Sequence, residues 1–62
     1  MIQVMYAYKP LMGNWKYASA QFYDPLKAAR FIYACRSSKN KVFIQYGCDD
    51  SDEAEAMEHL VR

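Results

Sequence analysis

The chain has 62 residues, enough for one small domain, and a formal net charge of +1 at pH 7. Of its residues 53% are hydrophobic, a composition that excludes an intrinsically disordered chain. A domain of this size buries only about 60% of the surface of its unfolded chain, so association with another chain is an expected source of stability. The six tyrosines and one tryptophan favour association, because both residue types are common in protein–protein interfaces.

The sequence lacks the motifs of several other function classes. No segment approaches the roughly 18 consecutive apolar residues of a membrane span, and the first residues do not resemble a signal peptide. We therefore expect a cytoplasmic protein that makes no membrane contact. Cys35, Cys48 and His59 are scattered and too few for a metal site, so we expect free thiols and no metal or cofactor. His59 and Glu55 have helical spacing but no accompanying nucleophile, and we predict neither an enzyme nor a small-molecule substrate.

The first part of the chain predicts a β-hairpin. Between residues 1 and 9, apolar and polar side chains alternate with the period of two that is typical of a strand. Pro10 and Gly13 interrupt this pattern, and residues 14–22 predict a second strand close enough to pair with the first.

The middle of the chain predicts a helix and a third strand. Asp24 and Pro25 are typical of a helix start, and Arg36 suits its C-terminal end. Residues 37–40 predict a turn, and residues 42–46 a short strand. The expected inner face of the helix consists of Leu26, Ala29, Ile32 and Tyr33.

A second helix is predicted after residue 49. Asp50 and Glu53 have the spacing of a capping box, in which each side chain bonds the other residue's backbone N–H. The helix should end near Leu60 or Val61, and its expected buried stripe is Ala54, Met57, Leu60 and Val61.

This order, ββαβα, predicts an α+β fold as a single domain over residues 1–62. A strand–helix–strand crossover makes strands two and three parallel and leaves room for strand one between them. The prediction is the split βαβ arrangement, with sheet order 2-1-3 and two helices on one face.

The opposite face of this sheet is the predicted binding surface. Strand pleating should turn Ile2, Val4, Tyr6, Ala18, Ala20, Phe22, Val42 and Ile44 toward the helices. The uncovered face would then carry Gln3, Met5, Lys9, Trp15, Tyr17, Lys41, Phe43 and Gln45. From these we select as partner-binding residues Met5, Lys9, Trp15, Tyr17, Lys41 and Phe43. The alternative is that strand two has the reverse parity, with Trp15 and Tyr17 in the core.

Charge is divided along the chain. Residues 1–48 contain seven basic residues and one acid, whereas residues 49–62 contain six acids and one arginine. The acidic surface consists of Asp49, Asp50, Asp52, Glu53, Glu55 and Glu58. It either imitates a phosphate backbone or docks on a basic surface of a host protein, or it simply favours the helix dipole and keeps one face solvated.

These observations predict a non-enzymatic protein-binding module. Its partner is another protein or a second copy of the chain, and its class is that of small regulators and inhibitors, such as those that phages and mobile elements direct at host proteins. One alternative is a binder of single-stranded nucleic acid, because bases stack on aromatic rings while lysines hold phosphates. The other is a nucleic-acid mimic that uses the acidic helix.

Overall fold

The structure, a computed structural model, describes residues 1–61 and contains the predicted α+β arrangement. Its elements are, in chain order, β1 (Ile2–Tyr8), β2 (Lys16–Phe22), α1 (Pro25–Ser37), β3 (Lys41–Cys48) and α2 (Ser51–Leu60). The sheet order is β2-β1-β3, and β1 runs antiparallel to both neighbours. The predicted topology is therefore confirmed.

The two pairings of β1 differ in regularity. With β2 the register is continuous, from Ile2 opposite Phe22 to Tyr8 opposite Lys16. With β3 it shifts between Met5 and Tyr6, where Ile44 is an extra residue without a partner on β1. Such a bulge reverses the alternation of side chains along the bulged strand, so residues on the two sides of Ile44 follow different parities.

Helix α1 begins as predicted. The Asp24 carboxylate accepts a hydrogen bond from the Leu26 N–H at 3.0 Å, and Pro25 occupies the first turn, where its missing N–H costs no helical bond. Arg36 lies in the last turn, near the negative end of the helix dipole.

Helix α2 begins at the predicted residue but without the predicted capping box. The Asp50 carboxylate accepts a hydrogen bond from the Asp52 N–H at 2.9 Å. The Glu53 side chain does not return to Asp50, because its Oε1 atom lies 2.6 Å from the amino group of Met1. Glu53 therefore connects the first turn of α2 to the residue that precedes β1.

Both helices cover the same face of the sheet. The buried cluster at the centre of the core consists of Ile2, Val4, Ala28, Ile32 and Met57. Ala29, Ile32 and Met57 are buried as predicted, and Leu60 and Val61 are half-buried.

The predicted inner faces of the helices are wrong at Leu26, Tyr33 and Ala54, which are exposed. Helix α1 turns the small side chains of Ala28 and Cys35 toward the core instead. Small side chains let the helix axis approach the sheet, whereas Tyr33 lies at the edge and donates its hydroxyl to the Leu60 carbonyl at 2.6 Å.

The predicted facing of the first half of β3 is also wrong. Phe43 lies opposite Tyr6 and packs against the core, so it is not on the uncovered face. Lys41 lies opposite Tyr8, and its ammonium group is 5.9 Å from the centre of the Phe31 ring on α1. Val42 and Ile44, predicted to be inside, are exposed. The bulge at Ile44 is the reason, since Gln45, beyond it, has the predicted facing and pairs with Met5.

Candidate functional site

The candidate site is the face of the sheet that the helices leave uncovered. In register, residues 3, 5 and 7 of β1 lie opposite residues 21, 19 and 17 of β2, and residues of β3 complete the surface on the other side of β1. No part of the chain between residues 1 and 61 packs over it. We call this surface the open face; its residues are Gln3, Met5, Ala7, Tyr17, Ser19, Gln21, Val42, Ile44 and Gln45.

The open face is apolar at its centre. Tyr17 has 83% of its surface exposed, and Met5, Val42 and Ile44 are also exposed. A shallow depression of about 490 Å³ lies between the strands, lined by open-face side chains together with Tyr6 and Ala18. The Gln45 side-chain amide donates to the Met5 sulfur at 3.2 Å, which holds both side chains along the surface.

The open face carries no charge. None of its residues is Asp, Glu, Lys, Arg or His, although 24% of the residues in the chain are charged. Protein–protein interfaces are depleted of charged residues at their centre and enriched in aromatic residues and methionine. Tyr17 and Met5, surrounded by glutamines, match that composition.

The connection between β1 and β2 forms an exposed apolar hairpin tip. The tip, residues 10–15, joins β1 to β2, and its Gly13 has φ = 120°, a conformation that residues with a side chain rarely adopt. Leu11 is fully exposed and Met12 is 88% exposed. Sequence reasoning did not select these two residues, although two large apolar side chains between Pro10 and Gly13 are unusual for a turn and could have indicated a contact surface.

The predicted partner-binding residues do not all lie together. Met5 and Tyr17 are on the open face, while Lys9 follows β1 and Trp15 precedes β2 in the adjoining connection. Trp15 is 45% exposed, which contradicts the alternative that places it in the core. Lys41 and Phe43 are on the helix side of the sheet and cannot share a surface with Tyr17.

The divided charge of the sequence becomes a spatial division. Lys16 and Lys41 both pair with Tyr8, and the Lys9 N–H donates to the Asn40 carbonyl at 2.8 Å, so these basic residues meet at one end of the sheet. We call this the basic end; its residues are Lys9, Lys16, Arg36, Lys39 and Lys41.

At the other end of the sheet, the Asp49 N–H donates to the Met1 carbonyl at 3.2 Å and α2 begins. We call this the acidic end; its residues are Asp24, Asp49, Asp50, Asp52 and Glu53. Glu55 and Glu58 are exposed further along α2.

The acidic end acts on the groups beside it. The Met1 amino group donates a hydrogen bond to the Glu53 carboxylate, which raises the pKa of that amino group, and the charges of Asp49 and Asp50 raise it further. Burial raises the pKa of the Cys48 thiol, and Glu53 adds to that effect. Burial likewise raises the pKa of the Cys35 thiol. The two thiols are not joined to each other, and neither is activated for nucleophilic chemistry at neutral pH.

Residues 1–61 contain neither a metal-binding cluster nor a membrane-spanning helix. No three His, Cys, Asp or Glu side chains in that range are grouped to hold a metal ion. Neither helix is long and apolar enough to cross a membrane. Comparison with known proteins gives no match, whether to a protein-family model, to a curated protein or to a solved structure.

Proposed function

We propose that the protein is a non-enzymatic module that docks a protein partner on the open face. The observation that supports this most is the absence of charged residues from an exposed sheet face that has Met5 on its central strand and Tyr17 on its edge strand. Removing such a surface from water avoids the large cost of desolvating ions, whereas the glutamine amides still provide directional hydrogen bonds.

Tyr17 and Met5 are the proposed anchors, and Trp15 and the hairpin tip extend the contact. Large aromatic side chains at the centre of an interface often contribute about 2 kcal/mol or more each to binding. A module of this kind acts by occupying a surface of its partner, so we assign it the role of a small regulator or inhibitor. We place it in the cytoplasm, where reducing conditions keep thiols such as Cys35 and Cys48 free.

Binding of single-stranded nucleic acid receives less support from the arrangement. Of the residues on which that alternative depends, Lys41 and Phe43 face the helices. Lys9 and Lys16 remain at one end, but the open face itself has no cation to follow a phosphate backbone along the sheet. The alternative of a nucleic-acid mimic that uses the acidic helix also receives less support, because Glu53 is already paired with Met1.

The experiment is affinity capture from cells that make the protein, using immobilised wild type and three variants. Met5→Lys places a charge at the centre of the open face and should abolish capture of the partner. Tyr17→Ala removes the main anchor and should weaken capture strongly. Arg30→Ala, at an exposed position of α1, is the matched control and should retain capture.

Two further readouts identify the kind of binding. Capture should persist in about 1 M salt, where charges more than about 3 Å apart are screened. Circular dichroism should give the same spectrum for all four proteins. A protein that binds both open-face variants as well as it binds the wild type would contradict the proposal, and nuclease-sensitive capture would support the nucleic-acid alternative instead.

A further inference from the structure

Beyond its first residue, Lys16, the outer edge of β2 lacks the features that usually protect an edge strand. In the described part of the chain β2 pairs only with β1, so the N–H and C=O groups on its other side have no strand partner. Natural edges are blocked by lysines, prolines or bulges. From Tyr17 to Phe22 the strand has no charge and no proline, and its register with β1 is regular. The other edge, β3, has a bulge, begins with Lys41 and lies beside α2.

We propose that the occupant of this edge is a second copy of the chain, whose β2 pairs antiparallel with the first about a two-fold axis at Ser19. In this register Ser19 faces Ser19 of the partner subunit, and Tyr17 faces the partner's Gln21. Ala18 faces the partner's Ala20, so small side chains meet on the helix side. The central strand residues are thus self-complementary, as a two-fold interface requires.

Aromatic residues just outside β2 fit the same register. Extending the pairing by one residue beyond each end places Trp15 opposite the partner's Tyr23, and symmetry repeats this contact. Trp15 is 45% exposed and Tyr23 is 81% exposed. Both residues have odd numbers, like the residues of β2 on the open face, so continued strand alternation places their side chains on that same side of the sheet. Aromatic cross-strand pairs are among the stabilising pairs of antiparallel sheets.

Charge favours the antiparallel direction. Lys16 begins β2 at the basic end, whereas Phe22 ends it beside Ile2 and Asp24, at the acidic end. Antiparallel pairing therefore brings the basic end of each copy beside the acidic end of the other, and parallel pairing would bring like charges together. Complementary charge fixes the orientation of an interface and disfavours the wrong one.

The dimer goes beyond the proposed function and does not depend on it. Pairing at β2 continues the sheet from one copy into the other and keeps the helices of both on one side. The two open faces then join into one surface, still uncovered and available for a partner.

The experiment measures the oligomeric state of the purified protein by sedimentation equilibrium over a range of concentrations. The wild type should dimerise. Ser19→Lys and Ser19→Glu place like charges on the two-fold axis and should each weaken the dimer by about tenfold or more. An equimolar mixture of these two variants should dimerise again, since lysine then faces glutamate. Ser19→Thr, a neutral and β-branched control, should dimerise like the wild type.

Two more measurements separate this interface from the open face. Met5→Lys changes the centre of the open face but lies one strand away from the proposed edge, so it should leave the dimer intact even though it should abolish partner capture. Trp15 emission should shift to shorter wavelength as the wild type dimerises, and Ser19→Lys should suppress that shift. A monomeric wild type, a dimer unaffected by Ser19→Lys, or a mixture of charged variants that stays monomeric would each overturn the proposal.

Discussion

Ile32 and Leu26 are both large aliphatic residues of α1, yet only Ile32 is in the core. The Ile32 side chain is fully buried in the core between the helices and the sheet, whereas Leu26 is 47% exposed. Truncating a buried aliphatic side chain to alanine costs about 2–5 kcal/mol, because apolar contacts are lost and a cavity remains. We expect Ile32→Ala to lower the free energy of unfolding by that amount and Leu26→Ala to lower it by much less, as measured by urea unfolding. Equal losses would contradict the observed helix orientation.

The same residues explain why sequence reasoning misjudged α1. It ranked positions by hydrophobicity, which favours Leu26 and Tyr33 as core residues. The structure selects by volume as well, and only small residues such as Ala28 fit where the helix meets the sheet. Ile32 is a large residue that fills the centre of the core, and hydrophobicity alone therefore predicted it correctly.

Asp50 determines where α2 begins. Its carboxylate satisfies the N–H of Asp52, one of the first-turn donors that have no partner within the helix. We expect Asp50→Ala to destabilise the protein by about 0.5–2 kcal/mol and Asp50→Asn to do so by much less, since asparagine is an equally good cap. Thermal unfolding of both variants, with Asp49→Ala as a neighbouring control, provides the measurement. A loss as large for Asp49→Ala would show that negative charge rather than capping matters here.

The ion pair between the Met1 amino group and Glu53 predicts a dependence of stability on pH. The pKa of the amino group is raised in the folded chain above its usual value of about 8. A raised pKa means that the folded state holds the proton more tightly, so this contribution is complete below about pH 8 and is lost as the pH rises through the folded value. We expect the melting temperature to fall over that range, and Glu53→Gln should have a smaller fall. An unchanged slope in Glu53→Gln would exclude this pair as the cause.

The type and position of each helix and strand could be predicted more fully than the side of it that points toward the core. The alternation in β1, the Asp24–Pro25 pair and the acidic residues after Cys48 are local signals, and each gave an element of the right type. The facing of β2 also followed, because its register with β1 is regular. The side of the sheet on which Phe43 lies could not be predicted, because no glycine or other turn-forming residue in the sequence indicates the bulge at Ile44.

Across the whole molecule, the basic and acidic ends give strong local potentials despite a formal net charge of only +1. We expect the protein to bind both a cation exchanger and an anion exchanger at pH 7 and low salt, because each resin contacts one end. The triple variant Asp49→Asn, Asp50→Asn, Asp52→Asn removes three of the five charges of the acidic end and should lose only the binding to the anion exchanger. Retention of that binding would mean that the acidic end does not form a separate charged surface.

The central position of β1 also determines the order in which the domain can form. β1 is synthesised before the other four elements described here, and its hairpin with β2 needs only contacts that are near in sequence. Its second neighbour is the distant β3, with Ile2 opposite Cys48, and Met57 completes the core later still. Contacts between distant parts of a chain slow folding, because the intervening segment must first lose conformational freedom. Val4 therefore lacks part of its core packing until β3 and α2 have been made, and chains that stop before Cys48 should be prone to aggregation.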